Sequence, residues 1–276
     1  MKIFTNAHFL LTLTSLFWAF NTIAGRAAVG EVSPLLVVSI RWFFVSILLT
    51  FLCRKELFET WKVLKYRRKW LVIMGLFGFT SFNSFYYIAA HDTIAINLGL
   101  VQGTMPAFII IISRIWLKEK INIPQLIGVI ITFVAVLLVV SSGNLYALMK
   151  LQLNKGDIVM IFACTLYAVY AVGLRKKPKI GALVLLTFFS YVAFIGSLPG
   201  LFYETFTSNL VLPGMKGIII LSVIIIFPSF LAQIFFMKGV EKIGPARSGL
   251  YTNLVPCLLY TSPSPRDLST SRMPSS

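Results

Sequence analysis

The chain has 276 residues, 58% of them hydrophobic and 12% charged, with a mean hydropathy of +0.86. A chain this apolar cannot also clothe itself in polar surface, so a soluble globular domain is excluded and lipid is the expected solvent. The net charge of +16 would suit nucleic acid, but the cations sit in short connections with no aromatic-interleaved solvated face, so no nucleic-acid partner is expected.

Apolar runs long enough to cross a roughly 30 Å hydrocarbon core as helices recur along the chain. Nine are expected, at 8–28, 34–53, 70–90, 94–117, 122–141, 157–174, 180–202, 216–238 and 244–259, the last cut short. A closed β-barrel would need alternating apolar and polar positions, whereas Ile109 to Ile112 and Leu221 to Phe227 are apolar on every side. The expected class is an all-α polytopic membrane protein.

In the first run Trp18, Asn21, Thr22 and Gly25 share one helical face. Lys2 before it and the small residues at 24–28 suggest a secretory signal, but the run is long enough to span and a related run recurs at mid-chain. The second run carries Arg41 about seven residues, roughly 10 Å, from its outer end. Arg41 is expected either to attract an anionic substrate group or to pair with a loop acid such as Asp92. Backbone carbonyls or snorkelling towards the surface would also accommodate it. The third run presents Asn83, Tyr86, Tyr87 and Ala90, and the fourth carries Gly99, Gln102, Gly103, Thr104 and Pro106. The sixth aligns Tyr167, Tyr170, Ala171 and Leu174, and the eighth Gln233, Phe236, Met237 and Val240. The ninth holds Gly249, Thr252, Asn253 and Pro256.

Polar groups in a span are costly unless they face the bundle interior. The expected substrate-binding set is therefore Trp18, Asn21, Arg41, Asn83, Tyr86, Gln102, Tyr167, Tyr170, Gln233 and Asn253. Helix packing alone would account for the aromatics equally well; the amides have no such use. Gly99, Gly103, Pro106, Gly249 and Pro256 are expected to serve as hinge or packing positions, since glycines admit close helix contact and a proline frees a carbonyl one turn back.

Alternate connections are rich in cations: Arg54, Lys55, Lys62, Lys65, Arg67, Arg68 and Lys69, then Arg114, Lys118 and Lys120, then Arg175, Lys176, Lys177 and Lys179, then Lys238, Lys242 and Arg247. The intervening ones hold only Arg26, Lys150, Lys155 and Lys216. This bias places the N-terminus in the cytoplasm. Glu31, Glu56, Glu59, Asp92, Glu119, Asp157, Glu204, Glu241 and Asp267 all fall at span ends, in loops or in the tail. With no carboxylate at the midplane, a neutral, zwitterionic or weakly anionic cargo is expected in preference to a polycation. Cys53, Cys164 and Cys257 have no metal-ligand spacing and receive no role; no metal and no cofactor is expected.

Residues Asn97 to Pro106 align with Arg247 to Pro256, with Gly99, Leu100 and Pro106 matching Gly249, Leu250 and Pro256. An odd repeat of five spans must enter the membrane from the opposite side the second time. The expected organisation is a first five-helix repeat at 1–141, an external linker at 142–156, an inverted second repeat at 157–259 that is incomplete, and a non-native tail at 260–276.

The segments from Leu16 to Thr22, from Ser39 to Phe43 and from Trp116 to Glu119, the pair Met105 and Pro106, and Gly156 and Asp157 opening the second half resemble the EamA-type permeases of the drug/metabolite transporter superfamily. The resemblance covers about 8–259. It implies a ten-helix carrier of two inverted repeats with a central cavity, cytoplasmic termini and export of amino acids or related metabolites. The Ser- and Pro-rich stretch after Leu259 departs from that pattern and looks like translated sequencing-adapter read-through, so the second repeat is expected to lack its last helix and part of the ninth, and this chain to be inactive or unstable. Expected partners are a small-molecule substrate and the lipid bilayer, with a homodimer as a further expectation, in a bacterial inner membrane. Carriers of phosphorylated or nucleotide-linked sugars, and a non-transport structural or receptor protein, are the alternatives. An intramembrane enzyme is not expected: His8 and His91 lie near span ends, and no HExxH, GxSxG or paired intramembrane carboxylates occur.

Overall fold

The computed structural model describes residues 6–120, 122–140 and 155–260. Among the described residues every regular element is helical. Lipid offers no hydrogen-bonding partner to a backbone, so a helix, which satisfies its own amides, is the stable form for such apolar runs. In chain order the elements are α1 (Ala7–Ala27), α2 (Pro34–Tyr66), α3 (Arg68–Asp92), α4 (Ala95–Gln102), α5 (Met105–Leu117), α6 (Ile123–Val140), α7 (Lys155–Gly173), α8 (Ala182–Phe206), α9 (Met215–Ile243), α10 (Pro245–Gly249) and α11 (Leu254–Tyr260). Among the described residues seven stretches are long and apolar enough to cross a membrane: α1, α2, α3, Asn97–Leu117, Lys155–Lys176, α8 and α9. Where runs are expected at 122–141 and 244–259 the chain forms α6 and the segmented stretch from α10 to α11, neither of which is among those seven. Most of the expected linker at 142–156 and the tail beyond Tyr260 lie outside the described residues.

Two boundaries differ from expectation. Helix α2 does not stop at 53 but continues to Tyr66, and α3 starts at Arg68, so Arg54, Lys55, Lys62 and Lys65 are helical and the connection shrinks to Arg67. Arg, Lys, Glu and Leu are good helix formers, and Leu64 is buried; the apolar-length rule reads only the lipid-crossing part of such a helix. The expected fourth span is two helices, broken at Gly103 and Thr104. Pro106 is therefore no mid-helix kink. It lies in the first turn of α5, where a missing amide leaves no bond unmade.

Both α3 and α9 contain a π-helical segment, Leu76–Ser81 and Ile225–Leu231. In α9 the cause is plain: Pro228 cannot donate to the helical ladder, and the backbone widens around it. In α3 the segment contains Gly78, which receives the ring of Tyr170 from α7; a Cβ at Gly78 would lie 2.3 Å from Tyr170 Cγ. Small residues that admit such close approach carry much of helix association where lipid removes the hydrophobic drive. Gly78→Ala is expected to cost about 1–3 kcal/mol through overpacking, because a ring wedged between Phe79 and Phe189 has little room to retreat. A lower thermal-unfolding midpoint in detergent would register it; an unchanged midpoint would mean that the ring moves freely.

The most extensive helix contacts join α3 to α7, α2 to α8 and α1 to α9. The two halves of the chain are thus interleaved. Outward faces carry large apolar side chains, including Phe44, Ile47 and Phe51 on α2, as a lipid-facing surface requires.

Candidate functional site

Where α1, α2, α3, α7 and α9 converge, polar side chains gather around Arg41, whose side chain is 1% exposed. Its Nε donates to Ser229 Oγ (2.8 Å), and Nη1 donates to Asn83 Oδ1 (2.8 Å) and Tyr87 Oη (2.9 Å). The guanidinium also lies over the Trp42 and Tyr87 rings, 5.1 and 5.6 Å from their centroids. Tyr87 in turn donates to Asn21 Oδ1 at 2.9 Å, and Asn83 Nδ2 to Phe79 O at 2.6 Å. The local backbone explains the convergence. Ser229 lies within the π segment of α9, and Asn83 follows that of α3 by two residues, so two irregular turns set donors and acceptors against one cation. Such turns inside helices are frequent at functional sites.

All of Arg41's hydrogen-bond partners are neutral. The expected ion pair with Asp92 does not form: Asp92 stands exposed at the end of α3, while the guanidinium points to Asn83 and Tyr87 further back on that helix. Nη2 makes no hydrogen bond among the described residues. A buried cation without a carboxylate carries a desolvation penalty of several kcal/mol, which three hydrogen bonds and two aromatic faces offset in part.

Eight of the ten expected substrate residues line one internal cavity: Trp18, Asn21, Arg41, Asn83, Tyr86, Gln102, Tyr167 and Gln233. Phe82, Met105 and Pro228 complete it. The free space is about 10 Å³, room for a single water. Around it several buried polar atoms lack a partner among the described residues: Tyr86 Oη, Tyr167 Oη, Gln102 Oε1 and Gln233 Oε1. Tyr86 approaches Thr22 and Asn21, and Tyr167 approaches Gln233, without completing a hydrogen bond. Unmade bonds of this kind are uncommon in a finished core, and here they share one cavity. Its walls are aromatic, with Trp18 edge-on to Tyr167 at 5.7 Å, Tyr167 against Phe82 at 4.7 Å and Trp18 against Phe236 at 5.1 Å.

Tyr170 and Asn253 lie outside the lining. One helical turn from Tyr167, Tyr170 packs between Phe79 and Phe189 against Gly78. Asn253 is buried at the end of a 3-10 turn, with both side-chain polar atoms unpartnered among the described residues. Gly99 meets Leu259 and Pro256, where a Cβ would come within 2.6 Å of Leu259 Cδ1, and Gly249 meets Ile109 at the same distance. Gly103 caps α4, donating its amide to Gly99 O. Pro256 lies in α11 as Pro106 does in α5. Each of the two broken segments thus presents a glycine to the other.

Ser229 and Pro228 were missing from the expected set, although a proline followed by serine within an apolar run was a usable signal. Phe82 and Met105 carried none, since apolar side chains give no hint of which cavity they wall.

The EamA-like transporter family model matches residues 5–141 and again 154–260. The uncharacterized transporter YyaM of Bacillus subtilis is 28% identical over 190 residues, covering 67% of this chain and 61% of that protein. An uncharacterized transporter of Archaeoglobus fulgidus is 29% identical over 61% of this chain and 57% of its own length. YetK of Bacillus subtilis, also an uncharacterized transporter, is 23% identical over 86% of the chain and 72% of its own length. The chain thus spans about three fifths of the length of the first curated relatives it matches. A crystal structure of a protein 18% identical superposes with a TM-score of 0.69, covering 95% of this chain and 91% of that one, which shows the shared fold. With the family model on both halves and helices fit to cross a membrane in each, the chain is a multi-pass membrane protein that belongs to the EamA-like transporter family.

Proposed function

We propose that the chain forms most of a secondary carrier that exports small metabolites such as amino acids by alternating access. Two inverted repeats, 1–141 and 157–259, would rock about the central cavity, with nine spans of an expected ten present and the N-terminus in the cytoplasm. Paired features about 150 residues apart support the repeat: the starts of α1 and α7, of α2 and α8, the two π segments, and the two helix breaks before α5 and α11. The charge bias supports the orientation, and the odd span number supports inversion.

The observation that carries the reading is the buried ring of Asn21, Asn83, Gln102 and Gln233 around Arg41, with polar atoms unsatisfied at a cavity between the two halves. A cavity of about 10 Å³ admits no metabolite, so the helices must part for loading, as a carrier in an occluded conformation requires. The unpaired guanidinium favours a cargo bearing a carboxylate, because a bidentate anion would meet the free Nη2 donors.

Reconstitution in liposomes of residues 1–256 joined to a completed second repeat, ten spans in all, with counterflow of labelled amino acids, tests this. Saturable exchange is expected, and Asn83→Leu is expected to reduce it about tenfold or more, the value of one hydrogen bond to a charged group. Absence of saturable flux for any small metabolite, from protein shown to be folded, would move a structural or receptor role ahead.

A further inference from the structure

The junction of α2 and α3 is the most concentrated charge on the molecule. Between 54 and 69 stand seven cations, Arg54, Lys55, Lys62, Lys65, Arg67, Arg68 and Lys69, against two acids, Glu56 and Glu59. None of the seven makes an ion pair among the described residues. They are held on a rigid frame, since α2 is helical to Tyr66 and α3 is helical from Arg68. The cations begin where the apolar part of α2 ends, and the next apolar run begins at Trp70, which places the elbow at the boundary between hydrocarbon and water.

Three further observations give the surface a partner. Phe58 and Tyr66 are each 86% exposed and Trp61 60% exposed, on the same segment as the cations. Aromatic rings beside lysine and arginine suit the headgroup layer, where one end is apolar and the other wet. Lys65, Tyr66, Arg67, Arg68, Lys69 and Trp70 line an open concavity of about 570 Å³. The Trp70 ring lines the concavity and rests against Phe189 on α8, which fixes its wall.

We infer that this basic elbow is a headgroup site for anionic phospholipid. The phosphate would lie among Lys65, Arg67, Arg68 and Lys69, and the acyl chains would follow the exposed apolar side of α2 past Phe58 and Phe51. A free phosphate would have no use for the exposed rings, and an acidic soluble partner would have to compete with the bilayer for the same boundary. The inference rests on the membrane placement of α2 and α3; it does not need the transport reading, because its readout is lipid retention.

Native mass spectrometry of the purified full chain, in detergent with equal phosphatidylglycerol and phosphatidylcholine, tests it. The chain is expected to retain phosphatidylglycerol over phosphatidylcholine about tenfold, a preference set by several cations near a headgroup and weakened at about 0.5 M salt. Lys65→Gln, Arg67→Gln, Arg68→Gln and Lys69→Gln combined should bring the ratio to near unity. Removing as many charges by Arg175→Gln, Lys176→Gln, Lys177→Gln and Lys179→Gln should leave it unchanged. Should the first variant fail to fold, the pair Lys65→Gln and Lys69→Gln is expected to lower the ratio part-way, while Arg67→Lys with Arg68→Lys preserves it. A preference that survives loss of the elbow cations overturns the site, as does an equal fall in the control. Displacement of the lipid by millimolar inorganic phosphate also overturns it, in favour of a free-phosphate site, and displacement by an acidic peptide would do so in favour of a protein partner.

Discussion

Arg41→Gln is expected to abolish the preference for carboxylate-bearing cargo while leaving the fold in place. In the wild-type protein the guanidinium meets Ser229, Asn83 and Tyr87 and keeps Nη2 unused beside the cavity. Glutamine offers a single amide and no charge. Charge-assisted hydrogen bonds contribute about 1.5–3 kcal/mol each, so loss of a bidentate contact, two such bonds, should lower exchange of an amino acid by about a hundredfold or more. Exchange of the corresponding decarboxylated amine should fall little or rise, because the repelling cation is gone. Arg41→Lys keeps the charge but loses the planar fork and should fall between the two. The stability effect has the opposite character. Taking a cation out of a buried site removes a desolvation penalty of several kcal/mol, against which three hydrogen bonds to neutral partners are lost. The thermal midpoint is therefore expected to change little. Arg41 would be purely structural if the variant exchanged acid and amine in the wild-type ratio, or if its midpoint collapsed together with its activity.

That cluster also shows what a sequence can and cannot convey about such a protein. Asn21, Asn83, Gln102 and Gln233 were legible because an amide in a lipid-crossing helix demands a partner, and helical spacing alone set Trp18 beside Asn21 and Asn83 beside Tyr86. Spacing could not distinguish Tyr167 from Tyr170. They stand one turn apart on α7, and only the rotation of that helix against Gly78 sends one ring to the cavity and the other into packing. Ser229 escaped because its place depends on the π segment around Pro228, a backbone irregularity that shifts the helical face by part of a turn. The extent of α2 escaped for another reason: hydropathy measures how much of a helix lipid can hold, and a charged helix continuing into water leaves no mark on that scale. Arg41 was recognised as needing a partner, yet the partner expected for it was an acid in a loop, since charge complementarity is the only pairing rule that one-dimensional reading supplies.

Glu204→Ala is expected to loosen one end of the bundle by unmaking a helix cap supplied from the other half of the chain. Helix α2 starts at Pro34, its N-cap Ser33 makes no capping bond with its side chain, and the amides of Leu35 and Leu36 instead donate to the two carboxylate oxygens of Glu204 at 2.8 and 3.0 Å. Glu204 stands near the end of α8, only 5% exposed. A carboxylate at a helix N-terminus also meets the positive end of the helix dipole. The same end is closed by Ser33 donating its amide to Val211 O at 3.2 Å and by Lys216 paired with Glu31 at 2.7 Å. The exposed pair should contribute little, which leaves Glu204 and the buried bond from Thr93 Oγ1 to Asp157 Oδ1 (2.6 Å) as the strong ties. Alanine strands one buried amide, Leu36, and one partly buried, Leu35, at a cost of about 1–3 kcal/mol, so the thermal midpoint should drop. If rocking of the halves opens this end, the alanine variant should also label faster at an Asn21→Cys probe with an impermeant maleimide applied from the side where α2 begins. Glu204→Gln retains one carbonyl acceptor and should give an intermediate rate. A lowered midpoint with unchanged labelling would make Glu204 a static cap; faster labelling, graded from glutamine to alanine, would make it the latch whose release exposes the Arg41 cavity.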